Sequence, residues 1–331
     1  RALKASLMGR LVPLSRFCLL REDGLHYTEG IVHPDYQERM IDPSAAADVY
    51  MFASDQLGVL MDAKAIGQLG TDAEKQVKEQ NGDLEVDSVT GTDGKLYGVP
   101  YTDNTWFMYY NKSKITEDEA KDFDTILSKA KVAFSLQNSW YINGFYDGLS
   151  LFGEKGNDAD AGMVFPKDGA DITSYLVDVV ANPNFSNDDG ASGLAAIKDG
   201  SADVLFSGTW SAKDVKEALG DNYAATSLPT FTVNGQKKQM KSFAATKAAA
   251  YNPNAKNPKA AAHFAAYLGS TEAQKLHYEM RAIPPTDKSL SDLTTDDVAA
   301  KAQADTMANT ALLQSGLSGM NDWWTPAETF G

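Results

Sequence analysis

The chain has 331 residues, of which 43% are hydrophobic and 23% are charged, and its formal net charge is -15. This composition is typical of a folded, soluble protein of about two domains, and no run approaches the roughly 18 apolar residues of a membrane-spanning helix. The negative charge argues against nucleic-acid binding, and a single cysteine, Cys18, excludes an internal disulfide and a cysteine-built zinc site.

The first 46 residues differ in composition from the rest of the chain. They contain five of the six arginines, and their six basic residues balance six acidic ones, so the whole net charge lies downstream. A separate or foreign segment and a local bias in composition both explain the difference. We assign no functional residue to this segment, and we expect it to form a strand, a helix and a strand.

Two stretches of the chain have the pattern of a strand, a turn and a helix. Residues 47–53 form a short apolar run, Ser54-Asp55 follows, and apolar residues at helical spacing come next. Residues 202–207 are a similar apolar run, followed by a turn and a predicted helix over 211–219. Because both runs begin with Ala-Asp-Val, the repetition predicts two α/β lobes that are built alike.

Other predicted elements lie between and after these units. Residues 94–100 predict a turn and a short strand, and the aromatic run 106–110 predicts a buried strand. Apolar residues at helical spacing predict a helix over 123–130. A further helix should begin at Pro258, because the first helical position tolerates the missing N–H of proline.

Two of the predicted turns are candidate ligand sites. In open α/β sheets, ligands bind at the carboxyl ends of strands, and Asp55 and Trp210 both follow a predicted strand directly. A structural role is the alternative in each case. Asp55 is also a good helix cap, which the residues alone favour, and Trp210 is equally well explained as a core anchor.

The tryptophans indicate the chemistry of a possible ligand. Three groups of them lie beside polar residues at predicted turns, at Trp140, Trp210 and Trp323-Trp324, whereas Trp106 lies in a predicted core strand. Flat aromatic rings pack on the C–H face of a pyranose, and neighbouring Asp and Asn side chains exchange hydrogen bonds with its hydroxyls. The sequence shows no nucleophile elbow, zinc-protease motif, P-loop or dinucleotide fingerprint.

These stretches together resemble the solute-binding proteins of bacterial sugar ABC importers, in particular the maltose/maltodextrin-binding branch. The segments that carry the resemblance are, in chain order, Ala47-Asp48-Val49, Asp55-Gln56-Leu57-Gly58, Lys95 to Pro100, Tyr110-Asn111-Lys112, Gly200 to Asp203, Gly208-Thr209-Trp210, Leu228-Pro229-Thr230, Asn252 to Leu268, Ile283-Pro284 and Met320 to Trp324. The strand, polar turn and helix with which the family opens have no clear counterpart in residues 1–46.

The resemblance implies a two-lobed periplasmic-binding-protein fold of type II. Each lobe is then a sheet flanked by helices, with a ligand cleft and a hinge between the lobes. We expect the first lobe to comprise residues 1–109 and 243–308, and the second to comprise 110–242 and 309–331. Tyr109-Tyr110 and the stretch near Ser242 should then cross between the lobes.

The resemblance also implies ligand contacts at seven positions. Asp55 resembles the acidic hydroxyl partner of the first lobe, and Asn104 lies where relatives carry a polar residue that faces the sugar. The aromatic positions of the second lobe, by the same resemblance, are Trp140, Tyr141, Trp210, Trp323 and Trp324.

We therefore predict a receptor for maltose-like or longer gluco-oligosaccharides, without catalytic, metal or cofactor sites. Its partners would be a neutral oligosaccharide and the membrane permease of an ABC importer, and it would act as a monomer that is extracellular, periplasmic or lipid-anchored. Two alternatives stay open. Carboxylates such as Asp55, Asp103 and Asp322, together with aromatic rings, also suit a polyamine or another cation, and two carboxylates across a glycosidic bond would suit a glycosidase or transferase.

Overall fold

The structure is a computed structural model that describes residues 16–21, 24–29, 43, 46–153 and 156–331. In these ranges strands and helices alternate along most of the chain. The strands are β1 Arg16–Arg21, β2 Gly24–Glu29, β3 Val49–Ala53, β4 Val99–Asn104, β5 Phe107–Asn111, β6 Val132–Phe134, β7 Ser150–Leu151, β8 Met163–Val164, β9 Phe185–Asn187, β10 Val204–Ser207, β11 Tyr223–Thr226, β12 Thr230–Val233, β13 Gln236–Gln239, β14 Ser242–Tyr251 and β15 Ala311–Leu313.

The helices connect these strands and cover the sheets. They are α1 Leu57–Asp62, α2 Thr71–Gln80, α3 Asp83–Ser88, α4 Phe123–Lys129, α5 Gly169–Ala181, α6 Ser192–Asp199, α7 Ala212–Leu219, α8 Pro258–Leu268, α9 Thr271–Arg281, α10 Val298–Asn309 and α11 Asn321–Phe330. Helix α8 begins at Pro258, as predicted, and the side chain of Asn257 caps it. No helix in the described part of the chain is long and apolar enough to cross a membrane.

The first sheet is built around the long strand β14. Strands β3 and β4 both pair with it in antiparallel orientation, and β15 runs parallel to its first residues. The carboxyl ends of β3 and β4 therefore lie toward the start of β14, where Ala53 pairs with Lys247 and Asn104 pairs with Ala245. Alanine dominates the middle of β14, which lets α8 pack close to the sheet.

The second sheet has the strand order β11-β5-β10-β6-β9. Strands β10, β6 and β9 are parallel to one another, while β5 and β11 complete the other edge in antiparallel pairs. Ser207, at the carboxyl end of β10, pairs with Phe107 at the amino end of β5. Because β4 leads into β5 through only two residues, the carboxyl ends of β10 and β6 lie on the side of the second sheet that is nearer to the first.

Three segments connect the two sheets, and hydrogen bonds join them side by side. The Thr105 hydroxyl, between β4 and β5, lies 2.6 Å from the Ser242 hydroxyl at the start of β14. The Ser242 backbone N–H donates to the carbonyl of Thr310, which links α10 to β15. All three residues are buried. The chain thus passes between the sheets through buried residues that are hydrogen-bonded to one another, which is the arrangement that a hinge requires.

Packing in the structure differs from the predicted lobe boundaries at three places. All of β5 belongs to the second sheet, so the run Tyr109-Tyr110 is an inner strand and the crossing lies before it, at Thr105. Helix α10, predicted for the first lobe, packs against β11 and β5 of the second sheet. Strand β15, predicted for the second lobe, pairs with β14 of the first sheet. Movement of the two lobes relative to each other stays a prediction.

The opening segment contributes a hairpin. Strands β1 and β2 pair in antiparallel orientation and are joined by residues 22–23, so the helix that we predicted does not lie between these two strands. The remainder of the predicted strand, helix and strand falls on residues 1–15 and 30–42, which lie outside the described residues.

Candidate functional site

The two strand, turn and helix units face each other between the sheets. In the first sheet β3 leads through a single turn, Ser54–Gln56, into α1. In the second sheet β10 leads through the turn Thr209–Ser211 into α7. Both turns lie at carboxyl ends of strands, on the sides of the sheets where the connections cross. The predicted repetition is therefore present. The two strand ends approach each other, because Lys247 pairs with Ala53 and its Nζ lies 5.7 Å from the centre of the Trp210 ring. We call the space between these strand ends the cleft.

Asp55 lies in the turn after β3, and its side chain caps neither that turn nor α1. The helix-cap interpretation is therefore wrong. The amide of Gln56 donates a 2.8 Å hydrogen bond to Oδ2 of Asp55. Burial raises the pKa of the Asp55 carboxyl from 3.8 to about 6, because a desolvated carboxylate is less stable than a hydrated one. At neutral pH it is still an anion, which makes it a strong acceptor for hydroxyl groups.

Asn104 is the last residue of β4 and is partly exposed at the same edge of the first sheet. Its neighbour Asp103 is a different case, because its Oδ1 is buried and has no hydrogen-bond donor among the described residues. Burial, and then the adjacent Glu85 carboxyl, raise the pKa of Asp103 well above its usual range. Burial therefore disfavours the charged form of this carboxyl, which makes Asp103 a weaker partner for a cation than a hydrated carboxylate.

The second side of the cleft carries two tryptophans. Trp210 is 49% exposed, which excludes the core-anchor interpretation. Its ring lies against Gly208, where a Cβ would be 2.1 Å from the indole. The ring of Trp140 is 5.8 Å from that of Trp210, at an interplanar angle of 33°. The Trp140 indole N–H donates to the side chain of Gln314 at 3.0 Å, which fixes this ring.

Two of the predicted aromatic contacts are buried instead. Tyr141 is 9% exposed, and its ring stacks on Trp106 at 4.9 Å with 24° between the planes. Trp323 is 5% exposed, and its indole N–H donates to the carbonyl of Ser139 at 2.9 Å. Neither ring offers a free face to a sugar, so these two assignments are corrected. Tyr141 supports the site from below, since it meets Trp140 edge to face.

Trp324 is partly buried on α11. Its ring contacts Phe243 at 6.0 Å, edge to face, and it packs at the margin of the aromatic core of the second sheet. The structure thus brings Trp140 and Trp210 together, while the convergence of Trp324 on the same groove stays a prediction.

Sequence reasoning missed Lys247. This lysine interrupts the apolar strand β14, and its Nζ lies 5.7 Å from the centre of the Trp210 ring across the cleft. A lysine inside an apolar strand is unusual, and that contrast was the available signal. Among the described residues no group of three or more His, Cys, Asp or Glu side chains could hold a metal ion.

Comparisons with known proteins identify the family of this chain. Residues 32–306 match the family of bacterial extracellular solute-binding proteins. A maltooligosaccharide ABC transporter solute-binding lipoprotein of Streptococcus pneumoniae R6 is 29% identical over 65% of this chain, and the matched region spans 56% of that relative. A galactooligosaccharide-binding protein of Bacillus subtilis 168 is 27% identical over 88% of this chain and 73% of its own length.

A solved structure with acarbose is 42% identical to this chain. The superposition covers 92% of this chain and 81% of that one, with a TM-score of 0.86. Maltodextrin-binding proteins of known structure share the same arrangement of sheets and helices. The two-lobed α/β fold predicted from the sequence is therefore confirmed.

Proposed function

Since this chain belongs to the family of bacterial extracellular solute-binding proteins, we propose that it is a receptor for malto-oligosaccharides that delivers them to an ABC importer and does not convert them. The observation that carries the proposal is the half-exposed Trp210 ring, paired with Trp140, opposite Asp55 and Asn104 at the strand ends of the other sheet. This combines an aromatic platform with hydroxyl-binding groups.

The names of the relatives support the ligand class. The S. pneumoniae relative is a maltooligosaccharide solute-binding lipoprotein. The structure that is 42% identical to this chain was solved with acarbose, an oligosaccharide mimic. The B. subtilis relative is described for galactooligosaccharide, which makes that sugar the second candidate. The ammonium of Lys247 counts against a polyamine, because a cationic ligand needs excess negative charge.

Binding would close the cleft. The sugar would contact Trp140 and Trp210 on the second sheet and Asp55 and Asn104 on the first, so that ligand stabilises the closed form. The three buried crossing residues, Thr105, Ser242 and Thr310, would form the hinge. We further propose that the protein acts as a monomer outside the cell, and that the closed form is recognised by the permease.

Isothermal titration calorimetry tests the ligand class. Maltotriose, maltotetraose, acarbose, a galacto-oligosaccharide and spermidine should each be titrated at low and at high salt. We expect malto-oligosaccharides to bind with a Kd near 1 μM, which corresponds to about -8 kcal/mol, and with little salt dependence because the ligand is neutral. Binding of spermidine alone would refute the proposal, and release of shorter sugars during long incubation would identify an enzyme instead.

A further inference from the structure

One cationic side chain of the cleft has no function in the proposal above. Lys247 belongs to the first sheet, where its backbone pairs with Ala53 at the end of β3 and with Thr102 near the end of β4. The register of β14 shifts directly after it, between Lys247 and Ala248. The side chain therefore starts at the same strand ends that carry Asp55 and Asn104, and it crosses to the other side of the cleft.

The contacts of its ammonium group are few. The Nζ lies 5.7 Å from the centre of the Trp210 ring, and within the described ranges it makes no ion pair or hydrogen bond. Asp55, two residues beyond the pairing partner Ala53, accepts a hydrogen bond from Gln56, and within the described residues it makes no ion pair with this lysine. Desolvation lowers the pKa of Lys247, because burial disfavours the charged form of an ammonium group.

An aromatic ring compensates only part of this lost hydration. Attraction to the ring face offsets some of the charge, but a ring accepts no conventional hydrogen bond from the three N–H donors of an ammonium group. Lys247 is only partly buried, so water can supply the remaining acceptors, and a sugar hydroxyl can take the place of that water. A sugar ring stacked on Trp210 would bring hydroxyl oxygens to the space beside this ammonium group.

We propose that Lys247 is a ligand-binding residue, which donates hydrogen bonds to hydroxyl oxygens of the sugar that stacks on Trp210. The inference rests on the proposed function. It adds a charged donor from the first sheet to the aromatic platform of the second, so that one sugar unit is held from both sides only when the cleft is closed. It also makes the cleft selective, because a positive charge at this point repels cationic solutes.

The test is the affinity of Lys247→Met for maltotetraose, measured by calorimetry. Methionine has a similar length and no donor, so we expect a loss of about tenfold or more, as for a hydrogen bond to a charged group. Lys259→Met is the matched control, since Lys259 is exposed on α8 of the same sheet, and its affinity should stay within about twofold of wild type. Lys247→Arg should retain more affinity than Lys247→Met.

Thermal unfolding separates ligand binding from a structural role. Because Lys247→Met removes a desolvated charge that has no anionic partner among the residues that the structure describes, the melting temperature without ligand should be unchanged or higher. A lower melting temperature together with an affinity within twofold of wild type would make Lys247 structural and overturn the inference.

A double substitution separates direct contact from orientation of the ring. If Lys247 contacts the sugar itself, Lys247→Met should still weaken binding in a Trp210→Ala background. If the lysine only orients the indole, its replacement should have no effect once the indole is absent, and the inference fails. Failure of the wild-type protein to bind any malto-oligosaccharide would instead refute the proposed function, so the two failures are distinguishable.

Discussion

The two sides of the cleft are built from different kinds of residue. Behind the second sheet lies an aromatic core, whose fully buried members include Trp106, Phe123, Phe134, Phe145, Phe206 and Phe231. The first sheet is filled mostly by small and aliphatic residues, among them Ala47, Ala65, Leu60, Val99, Ala248, Ala249 and Ala250. The aromatic platform of the cleft is thus the surface of an aromatic core, and the hydrogen-bonding groups belong to the side with small residues.

This difference assigns a separate task to each side. The ring of Trp140 packs against Tyr141, and the Trp140 carbonyl accepts a hydrogen bond from the Trp106 indole, so contacts with the core hold the platform in place. Asp55 and Lys247 are partly desolvated groups on the other side, and each can gain further hydrogen bonds from a ligand. We therefore expect substitutions beneath the platform to affect folding and substitutions at its surface to affect binding.

The largest effect should come from Trp106→Ala. This side chain is 0% exposed, stacks on Tyr141, and donates its indole N–H to the carbonyl of Trp140 at 3.0 Å. Its loss should lower the free energy of unfolding by about 3–5 kcal/mol, as for other buried aromatic residues. Urea denaturation measures this quantity. Trp106→Phe should lose less, and a loss below about 1 kcal/mol for alanine would show that the core does not depend on this ring.

Trp210→Ala should change binding more than folding. Half of its side chain is exposed, so truncation removes a stacking face rather than core packing. We expect the affinity for maltotetraose to fall by about 2 kcal/mol, a typical value for a central aromatic anchor. The melting temperature should change little. Trp323→Ala is the matched control, because its buried ring should lower stability instead. Unchanged sugar affinity in Trp210→Ala would show that the platform does not bind the ligand.

Sequence patterns were sufficient to predict the two strand, turn and helix units, but they did not show which aromatic rings are buried and which are exposed. The strands before Asp55 and Trp210 could be predicted because short apolar runs followed by polar turns have few other interpretations. Trp210 and Trp323 both lie beside polar residues in the sequence, yet one is exposed and the other is buried. The buried ring satisfies its N–H with the carbonyl of Ser139, a partner 184 residues away that no local pattern reveals.

Long-range packing explains the errors in the lobe boundaries as well. Helix α10 buries one face, which includes Ala299, Ala302 and Thr306, while Ala304 and Ala308 are exposed elsewhere on it, so apolar residues occur all round the helix. Such a helix shows no single apolar stripe that would indicate its sheet. Its packing against the second sheet follows from the path of the chain through Thr310, which only the tertiary structure shows.

The pH dependence of binding should be smaller than these effects, and it tests the other side of the cleft. The pKa of Asp55 is about 6, so the carboxylate that accepts hydroxyl hydrogen bonds is mostly present at pH 7.5 and mostly protonated at pH 5. Sugar hydroxyls that donate to the carboxylate stabilise its charged form, so affinity should fall as the pH drops through 6. The limit is about tenfold for each pH unit below the pKa.

The stability of the free protein should have the opposite dependence on pH. Because the folded protein binds the Asp55 proton more tightly than the unfolded chain does, this group favours folding below pH 4, and the contribution is lost as the pH rises from about 4 to about 6.

Asp55→Asn should remove both the pH dependence of affinity and the pH dependence of stability. Its sugar affinity should be about tenfold lower than that of wild type at pH 7.5, because an amide is a weaker acceptor than a carboxylate, and its melting temperature should be higher at the same pH. Calorimetric titrations of both proteins between pH 5 and 8 measure the first difference, and thermal scans measure the second. A pH profile of affinity that Asp55→Asn leaves unchanged would assign the titration to another group and would remove Asp55 from the site.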